Sequence, residues 1–331
     1  MEDKIIKSLF NYAKKDKVNN MSLAYFNLEK GIIIKKNYSC SNNDSNFISN
    51  NDTLYEIGSI TKLFTALVFG LMHSQKKIDI NTSVKYFFGE NASPVFDKIT
   101  IKDLITHASG LPRLPTTFLS KMENETDPYY DLIKSDLYEY LISPTEISAN
   151  KDYKYSNLGY GILGEILSLI HKKPYVQVIK ENVLIPLNMT KTDVLDNYID
   201  LDNIATGYNH SNKKTNFWTN EILPGAGCFL SNINDMTSFL INHFDENKSV
   251  QFSLAKITDI VLSKNISYDW HIKNGMLSKL LRYSGYYWHN GMTGGFASFV
   301  CFNKKKRTGL IILSNKPILL ESYFYRFSSY F

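Results

Sequence analysis

The chain is poor in the features that would assign it to several protein classes. It has three cysteines in 331 residues, at Cys40, Cys228 and Cys301. These are widely separated, so no C-x-x-C metal or redox spacing exists, and an odd count excludes a complete disulfide framework. No apolar run reaches the length of a membrane span. No secretory leader is visible: residues 1–16 read as an amphipathic helix, with Ile5, Ile6, Leu9, Phe10 and Tyr12 set among lysines and aspartates. The chain is therefore expected to be soluble. It would be cytoplasmic if Met1 is the native start, and periplasmic or extracellular if a leader has been removed. The excess of one charge sign is small, with 37 basic against 32 acidic residues and a net charge of +5. The densest basic run, Lys304 to Arg307, lies between two apolar stretches. It reads as a solvated hairpin tip rather than a nucleic-acid patch, because no basic stripe with stacking aromatics accompanies it. There is no Pro-rich linker and no internal repeat.

What is present is core-forming material. Hydrophobic residues make up 44% of the chain, with 22 tyrosines and 20 phenylalanines, enough for a substantial core. Residues 21–28 and 31–36 read as a hairpin, and 39–53 as a polar loop. The run 54–57 ends at Gly58, and Ser59 opens a strongly apolar helix. A second helix should start near Thr100 as cap and end at 110–112. Further helices are expected over 158–171, 231–244 and 319–327. Strands are expected over 286–288, 296–302 and 308–313. Strands, then helices, then strands indicate an α+β fold. One antiparallel sheet is built from both chain ends, flanked by helices, with a helical region inserted. The reading is a single domain over 1–331, with the sheet region at about 1–58 and 230–331 and the helical region at about 59–229.

Three constellations can carry chemistry. In Ser59-Ile60-Thr61-Lys62, residues three apart share a helix face, placing an amine beside a hydroxyl. A serine needs such a base, and a buried lysine can lose its proton near neutral pH. Serine-x-x-lysine also occurs at Ser74, Ser211 and Ser253. Only Ser59 stands at a glycine-marked strand-to-helix junction, where its N–H can serve a developing oxyanion. In Tyr155-Ser156-Asn157, alternate residues point the same way, so a phenol and an amide enter one cleft. Tyr155 would need nearby cations to ionise, from a reference value of about 10; a packed loop tyrosine is the bland alternative. In His289-Asn290-Gly291, at a strand end, His289 could set a polar group over the cleft, and Gly291 would admit substrate backbone. An ordinary strand-end histidine is the alternative there, and Lys273-Asn274-Gly275 is a rival segment.

These motifs, in this order, resemble the serine β-lactamase and penicillin-binding protein superfamily. The wider sequence looks like its class C branch, with the DD-carboxypeptidase, D-amino-acid peptidase and esterase relatives. The segments 56–62, 104–112, 155–160, 225–231 and 289–296 carry the resemblance. It implies a serine hydrolase acting on amide or ester bonds through an acyl-enzyme on Ser59. Lys62 and Tyr155 would share the base and acid work, and Asn157 would orient Lys62 and substrate. The N–H groups of Ser59 and Met292 would form the oxyanion hole. His107 is read as packed, not as a second base. Segment 113–153 and the region near Trp218 would wall the cleft. The substrate would be a small molecule or peptide, with β-lactams a candidate class. No metal, organic cofactor or nucleic-acid partner is implied. The class C β-lactamases carry lysine where this chain has His289, and a small hydroxyl residue where it has Asn290. Histidine there is more like the peptidase and esterase relatives, and Lys279 and Arg282 lie nearby in sequence. β-Lactam hydrolysis and one-time acylation by a penicillin sensor are the alternatives.

Overall fold

The computed structural model describes residues 2–40, 47–198, 201–219, 221–245, 254–273 and 285–327. Its centre is an antiparallel sheet of seven strands. In chain order these are β1 (Asn20–Asn27), β2 (Ile32–Ser39), β5 (Ile266–Ser267), β6 (Trp270–Lys273), β7 (Tyr286–Met292), β8 (Ala297–Asn303) and β9 (Thr308–Ser314). They lie in the order β2-β1-β9-β8-β7-β6-β5. The two chain ends thus meet at the β1–β9 pair, where Leu23 opposes Ile312. Every residue of β1, β8 and β9 is buried, as expected of strands covered on both faces. Edge strand β2 carries Lys35 and Lys36 among partly exposed residues, which discourages pairing with another chain.

The period-two alternation of strands sorts the core into two layers. Leu23, Phe299 and Ile312 pack with Leu9 and Ala13 of α1 (Glu2–Lys15) and with Phe324 of the helix Leu320–Phe327. Ala24, Val300 and Ile311 face the other way, against α2 (Thr61–Ser74) and the inserted helices. Helix α2 is buried from Thr61 to Met72, so it is apolar nearly all round, as a core helix must be. Each fully buried Leu or Phe of this kind contributes about 1.5–3 kcal/mol.

The elements differ from the sequence reading mainly at their ends. Ser59 sits in a 3-10 turn (Gly58–Ile60), and the α-helix begins at Thr61. Thr100 caps its helix through a reciprocal pair with Asp103, but that helix is only Ile101–Ile105. It stops where His107 takes a positive φ of 57°. Ser231 lies in a two-residue strand, β4 (Leu230–Ser231), paired with β3 (Tyr55–Glu56). The following helix therefore starts at Ile233 and ends at Ile241. Strands β5 and β6 were not anticipated. The Lys304–Arg307 run is the turn between β8 and β9, and Lys304 reaches Asp259 at 2.5 Å. Among the described residues, no helix is long and apolar enough to cross a membrane.

Candidate active site

Ser59 and Lys62 come from one helical turn. The Lys62 Nζ donates to Ser59 Oγ at 2.9 Å and to the Ala226 carbonyl at 2.6 Å. The rings of Tyr155 and Tyr160 stand 5.0 and 5.6 Å from the same nitrogen. Lys62 is wholly buried. Burial pulls its amine down to about 7; the charge of Asp269 opposes this and that of Arg113 adds to it. A buried cation without a counter-ion at contact distance is unstable as a cation.

Tyr155 closes the other side of the hydroxyl, its phenol donating to Ser59 Oγ at 2.6 Å. It precedes the helix Asn157–His171, whose cap is Ser156. The Ser156 hydroxyl accepts from Gly159 N at 2.9 Å and donates to the Pro112 carbonyl at 2.6 Å. The Arg113 carbonyl accepts from Asn157 N at 3.0 Å. Burial, then the Asp269 charge, raise the Tyr155 phenol well above its ordinary value, and this outweighs the lowering by Ser59 and Arg113. The phenol is therefore protonated. Asn157 does not orient Lys62: its Nδ2 donates to the Tyr129 hydroxyl at 3.1 Å, and the Ala226 carbonyl takes the lysine contact instead. Its Oδ1 is buried without a partner.

Strand β7 meets the nucleophile segment backbone to backbone. A Cβ on Gly291 would lie 2.0 Å from the Ile57 carbonyl oxygen, and one on Gly58 2.9 Å from Met292 N. Gly291 thus admits the Ile57 carbonyl, not substrate backbone as its sequence position suggested. The Ser298 hydroxyl fixes that carbonyl at 2.7 Å. This packing sets Met292 beside Gly58 and Ser59 in the cleft wall.

His289 does not project over the cleft. It is buried, with Nδ1 against the Asn290 carbonyl at 2.7 Å and Nε2 2.9 Å from Asp269 Oδ2. On the other side, His107 Nε2 is 3.2 Å from Asp269 Oδ1, and its Nδ1 accepts from Ser156 N at 3.1 Å. That leaves the proton on Nε2 and the ring neutral. Burial lowers the His107 ring's basicity, against the pull of Asp269. The His107 ring packs 4.5 Å from that of Tyr155, so it is the packed histidine expected. Burial alone would raise the Asp269 carboxyl; the imidazoles, His289 foremost, reverse this and hold it well below the usual carboxylate range. Asp269 sits in the two-residue turn between β5 and β6, where Tyr268 and Asp269 both have positive φ, 42° and 69°. Sequence reasoning missed it, because such a turn is signalled by Asn-Gly or Asp-Gly, not Tyr-Asp.

The cleft beside Ser59 is a cavity of about 180 Å3, walled by Arg113, Met122, Tyr129, Asn157, Trp218 and Met292, among others. The walls thus come from the two regions expected. The Trp218 segment is held by buried Glu56, which accepts from Trp218 N and from the Thr293 hydroxyl, both at 2.6 Å. Burial raises Glu56 to about 7. Asp127 accepts from Thr219 N at 3.0 Å and its hydroxyl at 2.7 Å. A larger cavity of about 670 Å3 lies beyond Trp218, among Val176, Ile185 and Val194, and holds none of the reactive groups. The rival Lys273 stacks on Trp288 at 4.8 Å. Asn274, Gly275, Lys279 and Arg282 lie outside the described residues. Among the described residues, no cluster of three or more His, Cys, Asp or Glu is placed to hold a metal.

The chain is similar to known proteins along most of its length. A beta-lactamase of Providencia stuartii is 25% identical over 350 residues, spanning 96% of this chain and 86% of that protein. Protein flp of Staphylococcus aureus (strain MRSA252) is 25% identical over 300 residues, or 86% of this chain; the match spans 57% of flp's length. Among solved structures, a class C beta-lactamase superposes with a TM-score of 0.83 at 20% identity, over 99% of this chain and 95% of that one. A beta-lactamase/D-alanine carboxypeptidase from Pseudomonas syringae gives 0.81 at 19% identity, over 98% and 97%. These superpositions establish the class C beta-lactamase fold. The Beta-lactamase family model matches residues 31–327, and the chain belongs to that family.

Proposed function

We propose that the chain is a serine hydrolase of the peptidase or esterase type, cleaving amide or ester bonds through an acyl-enzyme on Ser59. The observation that carries this is one hydroxyl held between an amine at 2.9 Å and a phenol at 2.6 Å. Neutral Lys62 takes the Ser59 proton as Oγ attacks the substrate carbonyl. The N–H groups of Ser59 and Met292 stabilise the tetrahedral oxyanion. Protonated Tyr155 gives its proton to the leaving group and recovers one from the Lys62 ammonium. Water then attacks the acyl carbon, with the same pair moving its proton, and releases the acid. The raised phenol and lowered amine divide the labour: Lys62 is the base and Tyr155 the acid.

A second reading, β-lactam hydrolysis or slow-turnover β-lactam binding, is favoured by the likeness to the Providencia stuartii beta-lactamase along nearly the whole chain. Against it stands His289, buried and engaged with Asp269 where the class C enzymes carry lysine. Intact-protein mass spectrometry after exposure to p-nitrophenyl acetate, and separately to benzylpenicillin, tests both. An adduct on wild type that is absent from Ser59→Ala supports the nucleophile, and its lifetime separates hydrolase from sensor. An adduct of equal yield on Ser59→Ala would remove Ser59 from that role.

A further inference from the structure

A residue outside the cleft holds the general acid. Tyr155 lies in the irregular segment before the helix Asn157–His171, so no regular element fixes its backbone. His107 does. The amides on either side of Tyr155 both donate to it, Lys154 N to the His107 carbonyl at 2.8 Å and Ser156 N to Nδ1 at 3.1 Å. The imidazole also packs on the phenol ring, with 4.5 Å between centroids. The 2.6 Å contact of Tyr155 with Ser59 Oγ depends on this hold. His107 is wholly buried, and its φ of 57° is one that few residues other than glycine adopt. Its Nε2 stands 3.2 Å from Asp269 Oδ1, and Asp269 Oδ2 stands 2.9 Å from His289 Nε2 on β7. Asp269 is itself buried, at a positive φ of 69°. Such backbone persists only where its surroundings over-determine it, and it clusters at functional sites. Strand β7 ends at Met292, whose N–H is the second oxyanion donor of the acyl-enzyme route. Contacts therefore run from the acid, through His107, Asp269 and His289, to the strand that carries the oxyanion donor. None of these three residues lines the cavity beside Ser59.

We infer that Asp269 is a positioning residue for the leaving-group step: through His107 it sets the Tyr155 phenol against Ser59, and through His289 it ties that setting to β7. The inference rests on the acyl-enzyme reading, with Tyr155 as its acid. Asp269 touches neither substrate nor the reacting atoms, so its effect is geometric. An acid works only within hydrogen-bond reach of the atom it protonates. A misplacement of about 1 Å, caused by a change away from the chemistry, can cost about 10^2-fold.

The dependence of turnover on the leaving group supplies the test. p-Nitrophenolate departs without a proton, whereas p-methoxyphenolate gains from one. kcat/KM is measured for p-nitrophenyl acetate and p-methoxyphenyl acetate on the same sample of the whole protein, and their ratio is taken. Partial unfolding lowers both values by one factor, so a merely structural role leaves the ratio unmoved. Asp269→Ala should widen the ratio by about tenfold. Asp269→Asn keeps an oxygen between the two rings and should recover part of the loss. Tyr155→Phe, which lacks the acid, sets the ceiling, and adding Asp269→Ala to it should widen the ratio no further. Should Asp269→Ala not fold, His107→Asn cuts the same chain of contacts one link later, since asparagine tolerates a positive φ. A ratio unchanged in either variant, or a further widening on the Tyr155→Phe background, would overturn the inference. Failure of the underlying reading looks different: Ser59→Ala would cleave p-nitrophenyl acetate as fast as wild type, or Tyr155→Phe would itself leave the ratio unchanged.

Discussion

Two charged residues with no solvent exposure stand close to Tyr155, and burial has had opposite results for them. Among the described residues, Lys62 meets neutral oxygens and aromatic faces, and its amine is drawn down to about 7, chiefly by burial. Asp269 sits between two imidazoles, with Nε2 of His289 at 2.9 Å and of His107 at 3.2 Å, and it is held ionised. Both were taken out of water; the difference lies in what surrounds them. An isolated buried charge tends to discharge, which makes a lysine into a base. A paired buried charge keeps its charge and becomes a fixed point. Asp269 is such a point. It orders His107, which accepts the amide next to Tyr155 and packs under the phenol ring.

The comparison can be broken from either side. Lys62→Ala removes the base and should slow Ser59 acylation by about 10^2–10^4-fold, read as the rate of adduct formation. An unchanged rate would move that role to Tyr155. Asp269→Ala strips the buried anion from between the two rings and breaks both contacts at once. It should cost about 3–5 kcal/mol of stability, visible as a lowered urea midpoint. A midpoint equal to wild type would mean that the pairing is idle. Lys62→Met should do the opposite, raising the melting temperature while abolishing turnover. The sign follows from linkage. With a folded value near 7 and an unfolded one near 10.4, the unfolded chain binds more protons in that window, so wild-type stability rises with pH there. The penalty Lys62 imposes is complete below about 7 and gone above about 10. The advantage of Lys62→Met is therefore expected at pH 6 and should fade towards pH 10. A gap that does not depend on pH would come from packing instead.

The same contrast explains how much the sequence could reveal. The Ser59–Lys62 pair is local, one turn of a helix, so spacing alone implied contact. The glycine before it and the apolar helix after it separated this pair from three others of equal spacing. Tyr155 and Asn157 were legible as a pair for the same reason, although the lysine contact expected of Asn157 belongs to a carbonyl at position 226. The central strands β1, β8 and β9 showed as apolar runs. Strands β5 and β6 are two and four residues long, too short for a period to register. The turn between them is where Asp269 sits. His289 and Gly291 were found but given the wrong neighbours, since what they meet comes from positions 269 and 57. Roles set by pairing between separate elements have no signature in spacing.

The central claim is that burial without a counter-ion makes Lys62 the base. The most direct measurement is its titration by NMR in protein with 13C-labelled lysine side chains, the signal assigned by its loss in Lys62→Met. The account expects a midpoint near 7, with the amine largely neutral at pH 8. A Lys62 that remains charged up to pH 10 would contradict it.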